Sequence, residues 1–279
     1  MTKPVDRYGV VGHPVSHSLS PFIHGLFARQ TSQAMEYRRY DVAPADFRRW
    51  VLEFFAQGGR GLNVTVPHKR AAAELANQLT PRAERAGAAN TLSFVDGNRV
   101  VADNTDGTGL VRDLRQNLQL RLKGSRILII GAGGAARGVL GPLIAAHPAE
   151  VVIANRTPER AVELAREFPE QHLVRAFGFR LLPEVPYDVV INATSASLAG
   201  DLPDIGPGIF GDRTVAYDMA YGSKGTAFVH WARENGAATA VDGIGMLVEQ
   251  AAESFQVWRG VRPSTVEALD ALRSRALTL

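Results

Sequence analysis

The sequence predicts an α/β fold with largely parallel sheets. Apolar runs that end in Gly, Asn or Thr alternate along the chain with helix-like stretches, which is the pattern of repeated strand–helix–strand units. A length of 279 residues with 46% hydrophobic content can bury the core of one large domain or of two smaller ones. No internal repeat or low-complexity segment interrupts the alternation, so domain boundaries have to be placed by motif.

The strands are predicted, in chain order, at YGVVG, GLNVTV, SRILIIG, EVVIANRT, YDVVINAT and TVAYDMA. Helices are predicted between them at PADFRRWVLEFFAQ, ERAVELAREF and GTAFVHWAREN. One segment differs, because AANTLSFVDGNRVVADNTDG alternates apolar and polar residues around Asp96-Gly97 and so predicts a β-hairpin. Helical periodicity resumes after the hairpin at TGLVRDLRQNLQL.

Composition excludes several classes of protein. The chain has no cysteine, which rules out disulfides and thiolate metal sites. It has neither an apolar leader with a cleavage-like site nor a run of about 18 apolar residues, so we expect a cytoplasmic protein with no membrane partner. The net charge of +3 arises from 31 basic and 28 acidic residues without a dense Lys/Arg block, and we therefore expect no nucleic-acid partner.

The segment SRILIIGAGGAARGVLGPLIAA combines a buried strand, a glycine loop and an apolar helix in that order. Gly131 permits a tight turn, Gly133 lets backbone N–H groups approach a pyrophosphate at the positive helix end, and Ala136 fills the third small position. The alternative is a tight turn without a ligand. Because all three elements follow in the right order, we predict dinucleotide binding by residues Gly131, Ala132, Gly133, Gly134 and Ala135.

The end of the next strand distinguishes between the two nicotinamide dinucleotides. NAD-binding units carry an acidic residue there for the ribose hydroxyls, whereas EVVIANRTPER places Asn155, Arg156 and Thr157 at this end. A planar guanidinium can pair with a 2′-phosphate, and Arg160 follows one helical turn later. NADP is therefore the predicted cofactor. The alternative leaves Arg156 in solvent and uses Thr157 only as a helix cap before Pro158.

Two later strand ends carry further candidates for the cofactor site. In VVINATSAS and VAYDMAYG the polar residues cluster at the carboxyl ends of apolar runs, and ligands of open α/β sheets bind at that edge. Thr194 and Met219 are therefore candidates for the nicotinamide side of the site. Turn chemistry and core filling explain the two residues equally well from spacing alone.

The first half of the chain carries different chemistry. In GLNVTVPHKRAAAELA, Asn63 and Thr65 are predicted on one face of a strand, and Lys69 follows at a helix start. The positive end of a helix disfavours a cation, so this lysine is a candidate for chemistry, although a lone lysine is more often solvated. In ADNTDG, Asp103 and Asp106 precede a helix, where Asp106 alone would more often be a cap.

Taken together, these segments resemble the shikimate dehydrogenase family over essentially the full chain. The matching stretches, in the order found in the family, are GHPVSHSLSP, NVTVPHK, AGAANT, DNTDG, GAGGAARG, NRT, NATS, DMAY and DGIGMLVEQAA. The resemblance implies two α/β domains with a cleft between them. Residues 1–105, completed by helices in 244–279, would form the substrate-binding and catalytic domain, and residues 106–243 a Rossmann-type NADP-binding domain.

The resemblance also implies the reaction and its residues. The family reduces 3-dehydroshikimate to shikimate with NADPH, reversibly, on the chorismate route to aromatic amino acids. Lys69 and Asp106 would be the catalytic pair, since an ammonium can stabilise and protonate the oxygen of a ketone that receives hydride, while a carboxylate orients it. Whether Lys69 acts mainly through its proton or its charge stays open. The residues implied to contact substrate are Ser18, Ser20, Asn63, Thr65, Asn90, Asp106, Tyr221 and Gln250.

The hydroxyls of Ser18 and Ser20 would bind the substrate carboxylate near a helix start, although Ser20-Pro21 is also a good cap and first-turn pair. His13, His17 and His24 suggest a metal site, but no further ligand follows at metal spacing, so no metal is expected and the histidines should pack or hydrogen-bond locally.

One departure from the family is Ala136, where the family commonly has serine. An NAD-dependent quinate/shikimate dehydrogenase and a non-enzymatic dinucleotide sensor are the alternative functions, and a monomer and a homodimer are both compatible with the chain. Glycines at 107, 243 and 245 are candidate hinges for an open-to-closed change, and Gly243 is also expected to touch the nicotinamide.

Overall fold

The computed structural model describes residues 5–170, 172–194, 196, 200–222 and 225–276. The chain folds as two compact units, each with its own six-stranded sheet. The first unit holds the chain up to Gly109 together with Leu247–Asp270, and the second holds Leu110–Met246 together with the chain from Ala271 onward. Both sheets carry helices, so the α/β fold class predicted from the alternation is confirmed.

The first unit is built on a mixed sheet. Its strands are β1 (Asp6–Gly12), β2 (Met35–Asp41), β3 (Gly59–Val64), β4 (Gln78–Leu79), β5 (Thr91–Val95) and β6 (Arg99–Asp103), in the order β2-β1-β3-β5-β6-β4. Its helices are α1 (Ser20–Gln30), α2 (Phe47–Ala56), α3 (Lys69–Leu75) and α4 (Pro81–Ala86), with much of α5 (Asp106–Arg112) and of α9 (Ile244–Arg259). Strands β5 and β6 form the predicted hairpin, and Asp96 and Gly97 have the positive φ angles of 54° and 72° that its turn requires.

Strand register in the first unit gathers polar side chains from distant parts of the sequence. Asn63 on β3 faces Thr91 on β5, and Thr91 in turn faces Asp103 on β6. Cross-strand neighbours of this kind have Cβ atoms about 4.5–5.5 Å apart, close enough for their side chains to interact. The apolar side of the sheet packs under α2 and α3, with Phe55, Leu62 and others fully buried.

The second unit contains an all-parallel sheet. Its strands are β7 (Arg126–Ile130), β8 (Glu150–Asn155), β9 (Val174–Gly178), β10 (Val189–Asn192), β11 (Val215–Asp218) and β12 (Thr239–Val241), in the order β12-β11-β10-β7-β8-β9. Its helices are α6 (Gly134–Ile144), α7 (Pro158–Arg166) and α8 (Ala227–Glu234), with π-helical Asp113–Asn117 after α5 and part of α10 (Val266–Ala276). Strands β7 and β10 are almost wholly buried, because helices cover both faces of a parallel sheet.

One local expectation was wrong. Ser20 is the first residue of α1 and not its cap, since Leu19 occupies the cap position. The Oγ of Ser18 instead accepts a hydrogen bond from the backbone N–H of Ser20 at 3.3 Å. The Ser18 hydroxyl therefore satisfies one backbone N–H at the start of α1, and it lies 3.2 Å from the Ser20 hydroxyl.

Candidate active site

Lys69 and Asp106 form an ion pair in the first unit. Lys69 begins α3 and Asp106 begins α5, and Lys69 Nζ lies 2.5 Å from Asp106 Oδ2. The Asp106 carboxylate is buried, while the lysine side chain keeps 31% of its surface exposed. The helix dipole disfavours a cation at the start of α3, and the carboxylate offsets that penalty while leaving the ammonium accessible.

Asn90 holds the other oxygen of the same carboxylate. Its Nδ2 donates to Asp106 Oδ1 at 2.8 Å and lies 3.2 Å from Gln250 Oε1 on α9. Its Oδ1 accepts from the backbone N–H of Thr105 at 2.8 Å. The Asp106 carboxylate is thus fixed on both sides, by an ammonium and by an amide, so its orientation is set before a substrate arrives.

The two acids of the ADNTDG segment have separate partners. Arg82 donates two hydrogen bonds of 2.6 Å to Asp103, and Thr80 donates a third. Burial opposes the charge on Asp103, but these donors lower its pKa below the usual value, so it stays ionised. Asp103 therefore anchors the segment, and Asp106 is left to face Lys69.

Asn63 connects to the same set of polar side chains, because its Nδ2 lies 3.2 Å from the backbone oxygen of Asn90. Ser18 and Ser20 are both buried at the start of α1, with 3.2 Å between their hydroxyl oxygens. Thr65 follows β3 and is half-buried. Among the predicted first-unit residues, hydrogen bonds and the ion pair join Asn63, Lys69, Asn90, Asp106 and Gln250, and the two serines form a second group.

The glycine loop of the second unit has the geometry of a phosphate cradle. Gly131 has a φ of 108°, and a Cβ there would lie 3.1 Å from Thr194 Cγ2. Gly133 and Gly134 are exposed, and a Cβ added at either would meet no atom of the described residues within 4 Å. Free N–H groups at a helix start favour an anion, so these residues at the start of α6 fit the pyrophosphate of a dinucleotide.

At the end of β8 the chain carries arginine side chains and lacks the acidic residue that is typical of NAD-binding units. Arg156 and Arg160 are exposed, and neither guanidinium pairs with another residue in the described part of the chain. Thr157 occupies the cap position of α7 before Pro158, but its side chain makes no capping hydrogen bond. Asn155 accepts a hydrogen bond from the N–H of Ala132 at 3.2 Å, which ties this strand end to the glycine loop.

Asn192, at the end of β10, organises the other cofactor candidates. Its Oδ1 accepts from Thr194 Oγ1 at 2.7 Å, and its backbone oxygen accepts from the N–H of Met219 at 3.0 Å. A Cβ on Gly243 would lie 2.4 Å from the Met219 carbonyl oxygen, so glycine is required there by packing. Thr194, Met219 and Gly243 therefore lie at one edge of the second sheet, where the strands end.

Tyr221 belongs to the second unit, two residues after Met219, and is half-buried. Burial and the nearby charge of Asp242 raise its pKa above the usual value.

Three residues that make hydrogen bonds in these sites were not predicted as site residues, although the motifs AGAANT, DNTDG and NATS contain them: Thr91, Thr105 and Asn192. Their presence in those motifs is the signal that could have found them.

The described residues contain no group of three or more His, Cys, Asp or Glu side chains that could hold a metal ion. His13 hydrogen-bonds Asp41 through Nδ1 at 2.6 Å, and His24 is fully buried. Within the same residues, none of the helices combines the length and the apolar character that crossing a membrane requires.

A glycine-loop dinucleotide fold and a lysine–aspartate pair define a dinucleotide-dependent dehydrogenase. Family models match residues 10–92 as a shikimate dehydrogenase substrate binding domain, 113–199 as shikimate / quinate 5-dehydrogenase and 243–273 as a shikimate 5′-dehydrogenase C-terminal domain. The chain belongs to the shikimate dehydrogenase family, which confirms the resemblance stated from its motifs.

Individual relatives cover nearly the whole chain. The shikimate dehydrogenase (NADP(+)) of Aeromonas salmonicida is 53% identical over 99% of this chain and 100% of its own length. The crystal structure of an Ael1 enzyme from Pseudomonas putida matches with a TM-score of 0.91 and 47% identity, over 96% of this chain and 98% of that one. A Thermus thermophilus shikimate 5-dehydrogenase in complex with NADP(H) and shikimate matches with a TM-score of 0.86 and 33% identity, over 97% and 100%.

Proposed function

We propose that this protein catalyses the reversible, NADP-dependent reduction of 3-dehydroshikimate to shikimate. Family membership supports the reaction class, and the NADP-dependent relative from Aeromonas salmonicida matches 99% of this chain. The observation that carries the proposal is the Lys69–Asp106 ion pair, with its 2.5 Å separation and its partly exposed ammonium. A buried carboxylate beside an accessible ammonium is the arrangement that carbonyl reduction needs.

Lys69 is proposed to donate a proton to the substrate carbonyl oxygen during reduction and to accept it back during oxidation. As the carbonyl carbon is reduced, negative charge develops on its oxygen, and the ammonium stabilises that charge most strongly in the transition state. Asp106 orients the Lys69 ammonium through Oδ2. A substrate hydroxyl beside the Asp106 carboxylate would donate a hydrogen bond to it in place of water.

The remaining polar residues are proposed to bind and orient the substrate. Ser18 and Ser20 would donate to its carboxylate, which suits two buried hydroxyls whose oxygens lie 3.2 Å apart at the start of α1. The residues proposed to surround the ring are Asn63, Thr65, Asn90, Tyr221 and Gln250. Neutral amides and hydroxyls suit this task, because ring hydroxyls both donate and accept hydrogen bonds.

NADPH supplies the hydride, and the second unit is proposed to bind it. Gly131 to Ala135 would contact the pyrophosphate, and Arg156 with Arg160 the 2′-phosphate, since both guanidinium groups are exposed and lack protein partners among the described residues. Asn155 and Thr157 would flank the adenosine ribose. Thr194, Met219 and Gly243 would line the nicotinamide, at the edge of the sheet where ligands of this fold class bind.

We further propose that residues 1–105 with 244–279 serve substrate binding and catalysis and that residues 106–243 serve NADP binding. A cytoplasmic location and a monomer or homodimer complete the proposal. Light scattering after size-exclusion chromatography would distinguish the two assembly states, and a larger assembly would contradict both.

The proposed reaction is tested by the absorbance at 340 nm when the purified protein oxidises shikimate or quinate with NADP or NAD. We expect the highest kcat/KM with shikimate and NADP. Higher kcat/KM with quinate and NAD would favour a quinate dehydrogenase, and no turnover with any of the four pairs, in a protein that binds NADP, would favour a dinucleotide sensor.

A further inference from the structure

The orientation of the Asn63 side-chain amide is unambiguous. The backbone oxygen of Asn90, 3.2 Å away, can only accept a hydrogen bond, so the group facing it must be Nδ2. Oδ1 of Asn63 therefore faces the other way, towards Tyr37 Oη at 2.7 Å and His24 Nε2 at 3.2 Å. Because this oxygen only accepts, both Tyr37 and His24 must donate to it.

His24 is suited to be a permanent donor. It is fully buried on α1, its ring stacks on that of Tyr37 with 4.1 Å between centroids, and Phe255 and Trp258 lie near it. Burial lowers the pKa of His24 to about 3, so the ring is neutral near pH 7 and carries one N–H. Asn63 requires that this hydrogen sits on Nε2. The other ring nitrogen of His24, Nδ1, is buried and has no hydrogen-bond partner among the described residues.

Tyr37, on β2, contacts two residues of the proposed substrate site. Its hydroxyl donates to Asn63 Oδ1 at 2.7 Å, and the nearby Ser20 side chain partly offsets the effect of burial on the pKa of Tyr37. Burial raises the pKa of Tyr37 well above its usual value, so the hydroxyl keeps its proton.

The hydrogen bonds continue from Asn63 to the catalytic pair in one direction. Asn63 Nδ2 donates to Thr91 Oγ1 at 3.3 Å, Thr91 donates to Asn90 Oδ1 at 2.9 Å, and Asn90 donates to Asp106 Oδ1 at 2.8 Å. Every donor points along the path that ends at the carboxylate, so the charge on Asp106 reinforces each bond.

We propose that His24 and Tyr37 are positioning residues that hold the Asn63 amide in the orientation needed for shikimate binding, an inference that rests on the proposed function. The two Nδ2 contacts of Asn63, at 3.2 and 3.3 Å, are longer than a typical N–H···O bond of about 2.9 Å. A substrate hydroxyl can therefore compete with these two acceptors for the hydrogens of Asn63 Nδ2. It can do so only while His24 and Tyr37 hold Oδ1 of Asn63 on the opposite side.

The test compares shikimate oxidation by Tyr37→Phe and His24→Phe, which remove the donors and keep aromatic rings. Losing one of two donors to a buried oxygen corresponds to a rise in the KM for shikimate of roughly 3- to 10-fold, with the KM for NADP unchanged. Tyr8→Phe is the matched control, since Tyr8 also packs on Trp258 but its hydroxyl contacts Arg259. Thermal denaturation confirms that each variant is folded.

A double mutant separates positioning from a general structural effect. In an Asn63→Ala background, His24→Phe should leave the KM for shikimate unchanged, because the residue through which it acts is gone. If the wild type oxidises shikimate, two results would overturn the inference. One is an equal rise in the KM for shikimate on adding His24→Phe to the wild type and to Asn63→Ala, and the other is no rise in either Tyr37→Phe or His24→Phe. A wild type that does not oxidise shikimate would instead overturn the proposed function, and this inference with it.

Discussion

The side-chain amide of Asn90 donates a 2.8 Å hydrogen bond to Oδ1 of Asp106, on the side of the carboxylate opposite Lys69. Asn90→Ala should therefore lower kcat and raise the KM for shikimate, each by about tenfold, since a hydrogen bond to a charged group contributes about 1.5–3 kcal/mol. Steady-state kinetics measure both constants. Asn98→Ala, at the exposed hairpin tip, is the control, and equal kinetics in the two variants would contradict the role of Asn90.

Asp106→Asn keeps the shape of the side chain and removes its charge. We expect kcat to fall on the order of 100-fold, because Lys69 loses the group that orients it, and shikimate binding to weaken as well. Calorimetric titration with shikimate gives the affinity independently of turnover. The control is Asp96→Asn, at an exposed carboxylate that pairs with Arg99 at 2.8 Å, and it should leave both kcat and the affinity for shikimate unchanged. If Asp106→Asn also left both quantities unchanged, a catalytic role for the Asp106 carboxylate would be excluded.

Arg156→Ala should weaken NADP binding far more than NAD binding. Only NADP has the 2′-phosphate, and a charge-assisted contact corresponds to a rise in the KM for NADP of roughly 10- to 100-fold. Arg213→Ala removes the same charge just before β11, at the opposite end of the strands, and serves as the control. Equal weakening of both cofactors in Arg156→Ala would show that the phosphate assignment is wrong.

Burial of His24 predicts a loss of stability in acid. Its pKa is about 3 in the folded protein and about 6.5 in an unfolded chain, so between these values the unfolded chain binds a proton that the folded protein does not. The free energy of unfolding should fall by about 2 kcal/mol from pH 7 to pH 5 through this group alone. Urea denaturation at both pH values should show a smaller fall in His24→Phe, and identical falls would contradict a neutral, buried His24.

The sequence predicted those features that depend on neighbouring residues. Asp96-Gly97 identified the hairpin because its turn needs positive φ angles, and the order of strand, glycines and helix identified the parallel unit around Gly131. Lys69 was recognised as misplaced at a helix start, and the structure places it there. The prediction that Ser20 caps α1 was wrong because proline fits the second position of a helix as well as the first. Pro21 is therefore equally compatible with a cap one residue earlier, at Leu19.

Features that depend on strand order could not be predicted in this way. The polar path from Tyr37 to Asp106 exists because β2, β1, β3, β5 and β6 are adjacent in that order, which places Asn63 beside Thr91 and Thr91 beside Asp103. Nothing local in MEYRRYD distinguishes Tyr37 from an ordinary strand tyrosine. His24 likewise follows from packing, since its partner Asn63 is 39 residues away in the chain.

The central claim, that Lys69 carries the chemistry, is tested most directly by the kcat of shikimate oxidation in Lys69→Ala. We expect a fall on the order of 10²- to 10⁴-fold with a modest change in shikimate affinity, because the ammonium acts mainly as charge develops on oxygen. Arg70→Ala, which removes the neighbouring exposed cation paired with Glu74, should retain wild-type kcat. A folded Lys69→Ala protein with a kcat close to that of Arg70→Ala would contradict the account.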